Sequence, residues 1–283
     1  MSLTANVIKG VHFVVNPGIV ADTLSYMLYI TARSIRVRKN VALMNLKIAY
    51  PDKDDRWRKE ILKKLYFHLS LSIVEFLSLT KNPSLVAKCV TRVEGEEYLT
   101  DIAKKGRGLV LLTGHIGNWE LLAAWLAHRG YPLVAGVRNP NDVHVSELLS
   151  SYRKKLGVDT IPKKKILLKG VKLLRQGKFI GVLADQDGGK EGLKLSFMGK
   201  EASTVGGPAA LSLIAGVPVV PITSYRVAPF KHEVLVLPPI EPYATMPRDD
   251  AIMKMTQRFN EILEGFIKLH PEQWLWFHRR WRA

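Results

Sequence analysis

Apolar residues recur along this chain in two rhythms. Ile61, Leu65, Leu69, Ile73 and then Phe76 or Leu77 follow one another at three- and four-residue steps, which predicts a helix with one apolar face within residues 52–79. Further on the rhythm changes to short unbroken apolar runs that stop at glycines and polar side chains. Residues 109–112, 130–138, 178–184 and 217–221 therefore read as strands, the first of them short and buried. Helices are predicted between and after them at 119–128, 145–156, 166–176 and 209–215. Residues 222–227 and 232–237 read as an edge hairpin ended by Pro238-Pro239. A closing amphipathic helix, 253–269, carries Met255, Phe259, Ile262 and Phe266 at helical spacing and is expected to face the core. Strands alternating with helices predict an α/β fold.

The N-terminal pattern is different. Residues 11–35 mix large apolar side chains with few charges and then meet Arg33, Arg36, Arg38 and Lys39. A helix lying in a lipid interface with a basic collar at the headgroups is written this way, and so is a helix packed on the domain with a solvated basic end. Pro17-Gly18 and Asp22 interrupt the region and no run reaches 18 apolar residues, so a spanning helix is not expected. Lys9 is the sole early lysine and no small-residue cleavage site follows a clean apolar run, which argues against a signal peptide. The expectation is a cytoplasmic or membrane-peripheral protein.

At 283 residues with 47% apolar composition the chain can bury one large core, and the division expected is an N-terminal helix, 1–40, followed by one domain, 41–283. Lysine and arginine outnumber the acids 42 to 25, giving +17, which favours an anionic partner: nucleic acid, an acidic carrier protein or an anionic membrane surface. The cluster Lys163, Lys164, Lys165 and Lys169 has no interleaved aromatics, which argues against a platform for single-stranded nucleic acid. The single cysteine, Cys89, excludes an internal disulfide framework and reads as a core residue.

Candidate chemistry gathers where apolar runs end. Thr113-Gly-His115-Ile-Gly-Asn-Trp-Glu120 places a histidine at the carboxyl end of a strand and a carboxylate at the start of the next helix. A tight turn could bring Glu120 onto the imidazole N–H and leave the other ring nitrogen to take a proton from an alcohol. The same spacing also suits an acidic residue favouring a helix N-terminus. Arg138 and Arg153 fall where a phosphate or an acyl carbonyl could be met, although Arg153 also suits a solvated helix face. Asp185 and Asp187 end the strand at 178–184 beside Gly188-Gly189, as site-shaping residues with no metal expected. Thr204, Gly206 and Gly207 precede a helix and offer amides to an anion. Glu75 reads as a polar-face residue without an assigned role.

His-x4-acid after a buried strand resembles the opening motif of the glycerolipid and lysophospholipid acyltransferase superfamily. The fuller string 113–120 resembles the branch that acylates lipid A precursors, the late lauroyl and myristoyl acyltransferases. Arg138-Asn-Pro140, the Asp185 block, Phe197-x-Gly199, Thr204-x-Gly-Gly-Pro208 and the ending Pro271-Glu-Gln-Trp-x-Trp-x-His-Arg-Arg280 extend the resemblance from about Arg36 to Arg282. It implies a central mixed, largely parallel sheet flanked by helices, with an N-terminal membrane-associating region. It implies His115 as general base supported by Glu120, and a pocket for acceptor and acyl chain lined by the Phe197, Gly199, Thr204, Gly206 and Gly207 block. The implied reaction moves an acyl chain from a carrier-protein or coenzyme A thioester to a hydroxyl of a lipid A precursor or related glycolipid. No cofactor, metal or nucleic acid is implied, and the implied location is the cytoplasmic face of the bacterial inner membrane. Two rival readings remain open: a basic lipid-binding protein without turnover, and a thioesterase or lipid hydrolase using the same His and Glu. A serine esterase is disfavoured, because no Gly-x-Ser-x-Gly elbow occurs.

Overall fold

A computed structural model describes residues 2–138 and 140–281; Asn139 of the Arg138-Asn-Pro140 block and Arg282 at the end of the resemblance lie outside them. The strands are β1 (Val90–Glu94), β2 (Leu109–Thr113), β3 (Leu133–Val137), β4 (Asp159–Pro162), β5 (Phe179–Leu183), β6 (Leu193–Phe197), β7 (Lys200–Thr204), β8 (Val219–Ala228) and β9 (Lys231–Val236). Seven form one sheet in the order β1-β9-β8-β2-β5-β3-β4, and β6 pairs with β7 as a separate antiparallel hairpin. All neighbours in the large sheet run parallel except β8 and β9. This is the mixed, largely parallel sheet expected. β2 lies at its centre, and its residues alternate between two cores: Val110 and Leu112 pack on one face, Leu109 and Leu111 on the other. Both faces are covered, so the strand reads as a continuous apolar run rather than an alternation.

The helices are α1 (Leu3–Val14), α2 (Ile19–Ser34), α3 (Lys39–Ala49), α4 (Asp55–Lys81), α5 (Leu85–Cys89), α6 (Glu96–Lys104), α7 (Trp119–His128), α8 (Val143–Lys155), α9 (Ile166–Arg175), α10 (Gly207–Ala215) and α11 (Arg248–Leu269). Local chemistry sets several of their ends. The Asp54 carboxylate accepts the Trp57 amide to start α4, and Asp142 accepts the His144 and Val145 amides, which starts α8 two residues before its apolar pattern does. Pro208 stands in the first turn of α10, and Gly216, at φ 68°, closes it in the left-handed region.

Two sequence expectations change, and the aromatic ending finds its place. The N-terminal apolar stretch is two helices, α1 and α2, broken at Asn16-Pro17-Gly18. Ala5, Val15, Ala21 and Tyr29 are buried, while Leu3, Phe13, Ile19, Met27 and Ile35 are exposed. No helix among the described residues is long and apolar enough to cross a membrane. The two stretches expected at 217–221 and 222–227 merge into one strand, β8, which starts at Val219, and Pro221 falls where β8 passes from its parallel pairing with β2 to its antiparallel pairing with β9. Its carbonyl still accepts the Leu237 amide. Finally, the aromatic ending is interior: Trp274, Trp276, Arg280 and Trp281 are all buried. The mixture of rings and cations there packs the core.

Candidate active site

The central strands place the candidate groups. β2 and β5 are parallel neighbours with Thr113 opposite Leu183, so His115 and Asp185 each stand two residues beyond a paired position at the same edge. Neighbouring strands lie about 4.8 Å apart, close enough for their side chains to meet. The Asp185 Oδ1 accepts the His115 Nδ1–H at 2.9 Å, and Oδ2 accepts the His115 backbone amide at 2.8 Å and the Trp274 indole N–H at 2.7 Å. Burial opposes ionisation of Asp185, but the charge of His115, with the hydrogen bonds from His115 and Trp274, outweighs it and holds the carboxyl down at about 2. An ionised Asp185 accepts from Nδ1 and so leaves Nε2 with its lone pair. That nitrogen lies 3.4 Å from the Gln186 side-chain amide.

The carboxylate on the imidazole is thus Asp185 rather than Glu120. Glu120 starts α7 but turns its carboxylate to Arg153, which donates from Nε at 3.0 Å and from Nη2 at 2.6 Å. The parallel fork of a guanidinium matches a carboxylate better than one imidazole N–H does. Arg153 is accordingly mostly buried and not on a solvated helix face. Both members of this pair line the same cavity as His115.

That cavity is narrow, about 160 Å³. Its polar lining is formed by Thr113, His115, Glu120, Arg138 and Arg153. Its other walls are apolar, from Leu122 and Leu126 of α7, Leu133 of β3, and Val158, Leu183 and Ile222. An imidazole and two guanidinium groups therefore border a largely apolar slot.

The turn that presents His115 is held from behind. Gly117 adopts φ 59°, and a Cβ there would lie 1.8 Å from the Ser224 carbonyl oxygen, so only glycine fits. Its amide donates to the Gln273 carbonyl at 3.0 Å, and its carbonyl accepts the His68 Nε2–H at 3.0 Å. The Leu275 amide donates to the His115 carbonyl. Asn118 caps α7 through Oδ1 and donates Nδ2–H to Glu75 at 2.8 Å. Glu75, 1% exposed, also receives a bidentate pair from Arg226, the Phe230 amide and the His232 Nε2–H. Burial raises its pKa, and Arg226 and His232 more than reverse this, holding it well below the usual glutamate range. Burial and Arg226 lower the pKa of His68 well below its ordinary value and keep the ring neutral, with Nδ1 accepting from Arg226. Sequence reasoning missed this cluster. The one available signal was Glu75, the single acidic residue in the second half of α4.

The remaining expected site residues lie elsewhere. Phe197 is fully buried with Arg280 over its ring, and Thr204 accepts from the buried Arg280 and Asn260 side chains. Gly199 is in the tight turn of the β6–β7 hairpin, at φ 75°, while Gly206 and Gly207 start α10. None of these five lines the cavity at His115. The block builds a wall that supports Trp274, which stacks within 5.8 Å of Phe197 and donates to Asp185. Asp187 accepts the Gly189 amide within its own turn and bridges to Thr204.

Comparison with known proteins identifies the family. The lipid A biosynthesis lauroyltransferase of Escherichia coli (strain K12) is 24% identical over 254 residues, covering 89% of this chain and 81% of the relative. The lipid A biosynthesis myristoyltransferase of the same organism is 21% identical over 238 residues, 83% of this chain and 72% of the relative. A phosphatidylinositol mannoside acyltransferase of Mycobacterium tuberculosis (strain CDC 1551 / Oshkosh) is 27% identical over 154 residues, 50% of this chain and 46% of the relative. The family described as bacterial lipid A biosynthesis acyltransferase matches residues 7–283, essentially the whole chain, and the protein belongs to that family as an acyltransferase.

Proposed function

We propose that the protein transfers a fatty acyl chain from a thioester, carried by an acyl carrier protein or coenzyme A, to a hydroxyl of a lipid A precursor or a related glycolipid. The observation that carries this reading is His115: Nδ1 is committed to Asp185 and Nε2 is left as an acceptor at a slot whose walls are mostly apolar and whose other charged groups are Glu120, Arg138 and Arg153. With the acyl chain in the slot, Nε2 takes the proton of the acceptor hydroxyl as its oxygen attacks the thioester carbonyl. Charge then develops on the carbonyl oxygen. Arg153, fixed by Glu120, and Arg138 border that region and supply N–H donors, each good donor contributing about 3 kcal/mol in such sites. Collapse of the tetrahedral intermediate breaks the carbon–sulfur bond, and the imidazolium returns its proton to the leaving thiolate. Glu120 acts in this scheme through Arg153, and Asp185 holds the tautomer. The reaction needs no protein-bound cofactor.

The exposed apolar residues of α1 and α2, next to the basic segment that follows, support docking at a membrane, and an acceptor of this class would be met at the cytoplasmic face of the inner membrane. The test is acyl transfer from a radiolabelled carrier thioester, and from its coenzyme A counterpart, to a lipid A precursor, with the unmodified chain and His115→Ala. Acylated product that disappears with His115→Ala is expected. Lipid association without product, or free fatty acid released equally with and without the lipid, would overturn the proposal in favour of a binding protein or a hydrolase respectively.

A further inference from the structure

A second and third cavity adjoin each other outside the acyl slot and share no lining residue with it. The third, about 810 Å³, is ringed by Arg33 from the end of α2, Arg36 just after it, Lys39 from α3, and Arg56, Lys59 and Lys63 from the first three turns of α4. The sequence predicts a collar of cations after α2. It does not reveal that three more from α4 converge on them across the fold. Residues 56, 59 and 63 fall on one helix face by spacing, and Glu60 is the only acid lining the groove. Glu60 pairs with Lys63, whereas Arg36, Lys39, Arg56 and Lys59 carry no ion pair among the described residues.

The adjoining cavity, about 690 Å³, shares Arg33, Glu60 and Lys63 with the first and continues as an apolar trough. Tyr26 and Ile30 of α2 and Phe67 of α4 line it and are 58%, 40% and 41% exposed. One end of the groove thus repels cations and attracts a compact anion, and the other leaves large apolar side chains in water. No residue lines both this trough and the slot at His115, and the braced turn 114–118 stands beside each. The trough and the slot are thus lined as separate cavities.

We infer that this groove holds the phosphate-bearing headgroup of an anionic phospholipid, with the phosphate among Arg36, Lys39, Arg56 and Lys59 and the first part of an acyl chain along Tyr26, Ile30 and Phe67. Charge complementarity selects an anion, and the continuity of the apolar trough selects an amphiphile over a free ion.

The test uses the full chain and a short-chain lipid that stays monomeric, dihexanoylphosphatidylglycerol, titrated by calorimetry or intrinsic fluorescence. Dihexanoylphosphatidylcholine and inorganic phosphate serve as the two comparison probes. Saturable binding of the phosphatidylglycerol is expected, at least tenfold tighter than either. The exposed double change Arg56→Glu with Lys59→Glu should weaken it at least tenfold, and the pair Arg36→Gln with Lys63→Gln, which removes two positive charges, should weaken it severalfold. Lys163→Glu with Lys164→Glu, which alters net charge equally at another surface, should leave it within about twofold. Equal losses in both glutamate pairs would reduce the effect to overall charge and overturn the assignment. So would phosphate binding as tightly as the lipid, or phosphatidylcholine doing so. Because the readout is binding, failure here leaves the acyl-transfer reading untouched, and failure of transfer leaves this one standing.

Discussion

An imidazole can take a proton only through a nitrogen that has not already given its lone pair away, and at His115 the carboxylate of Asp185 makes that choice. Asp185→Asn preserves volume but lets the carboxamide present N–H to Nδ1, which favours the opposite tautomer; kcat should fall roughly 10³-fold with little change in KM for the acyl donor. Glu120→Gln should act differently, because it loosens Arg153 and leaves the ring untouched. Asp185 also ties the site to stability. Its pKa in the fold, about 2, lies below the ordinary aspartate value of 3.8, so it stabilises the protein above about pH 4 and loses that contribution as pH falls through about 2. The integrated effect is about 2 kcal/mol. Chemical denaturation between pH 5 and pH 2 should show Asp185→Asn losing less stability than the unmodified chain by that amount.

At the scale of elements, the turn between β2 and α7 is rigid because separate parts of the chain hold it. Gly117→Ala sets a methyl group against the Ser224 carbonyl in a left-handed conformation, and should reduce both folding stability and activity severely, as followed by urea unfolding and acyl transfer. Glu75→Gln leaves Arg226 buried without its counter-charge and should cost about 3–5 kcal/mol in the same unfolding measurement. The sequence makes the strand, turn and helix around His115 legible, since a buried run, a glycine turn and an Asn cap are local signals. Asp185 is not legible as its partner. The two residues are 70 positions apart, and only the placement of β5 beside β2 joins them. Proximity in the chain favours Glu120, whose carboxylate the fold delivers to an arginine of α8. Phe197 and Thr204 mislead for a related reason: a motif advertises importance, but Arg280 uses both to support the wall behind Asp185.

For the whole molecule, the alternation of strands and helices conveys the α/β class, whereas strand order and the joining of residues 219–228 into one strand depend on pairings that no local pattern encodes. The slot at His115 is likewise a property of the assembly, with walls from α7, β3, β5 and β8. Its apolar walls set which chains fit. Leu126→Trp adds bulk to one of them and should shift preference towards shorter acyl donors while leaving His115 and Asp185 unaltered; a kcat/KM profile across donor lengths checks this.

The stitching of Gln273, Trp274 and Leu275 onto Gly117, Asp185 and His115 has an outcome for biosynthesis. Translation delivers the histidine loop long before it delivers the tryptophan that completes its cradle. A nascent polypeptide stalled before residue 270 would expose an unfinished loop to the lipid-rich surroundings yet lack the means to acylate anything in them. Competence arrives only once residues 273–275 have emerged from the ribosome, so this architecture postpones chemistry until that distant segment is in place.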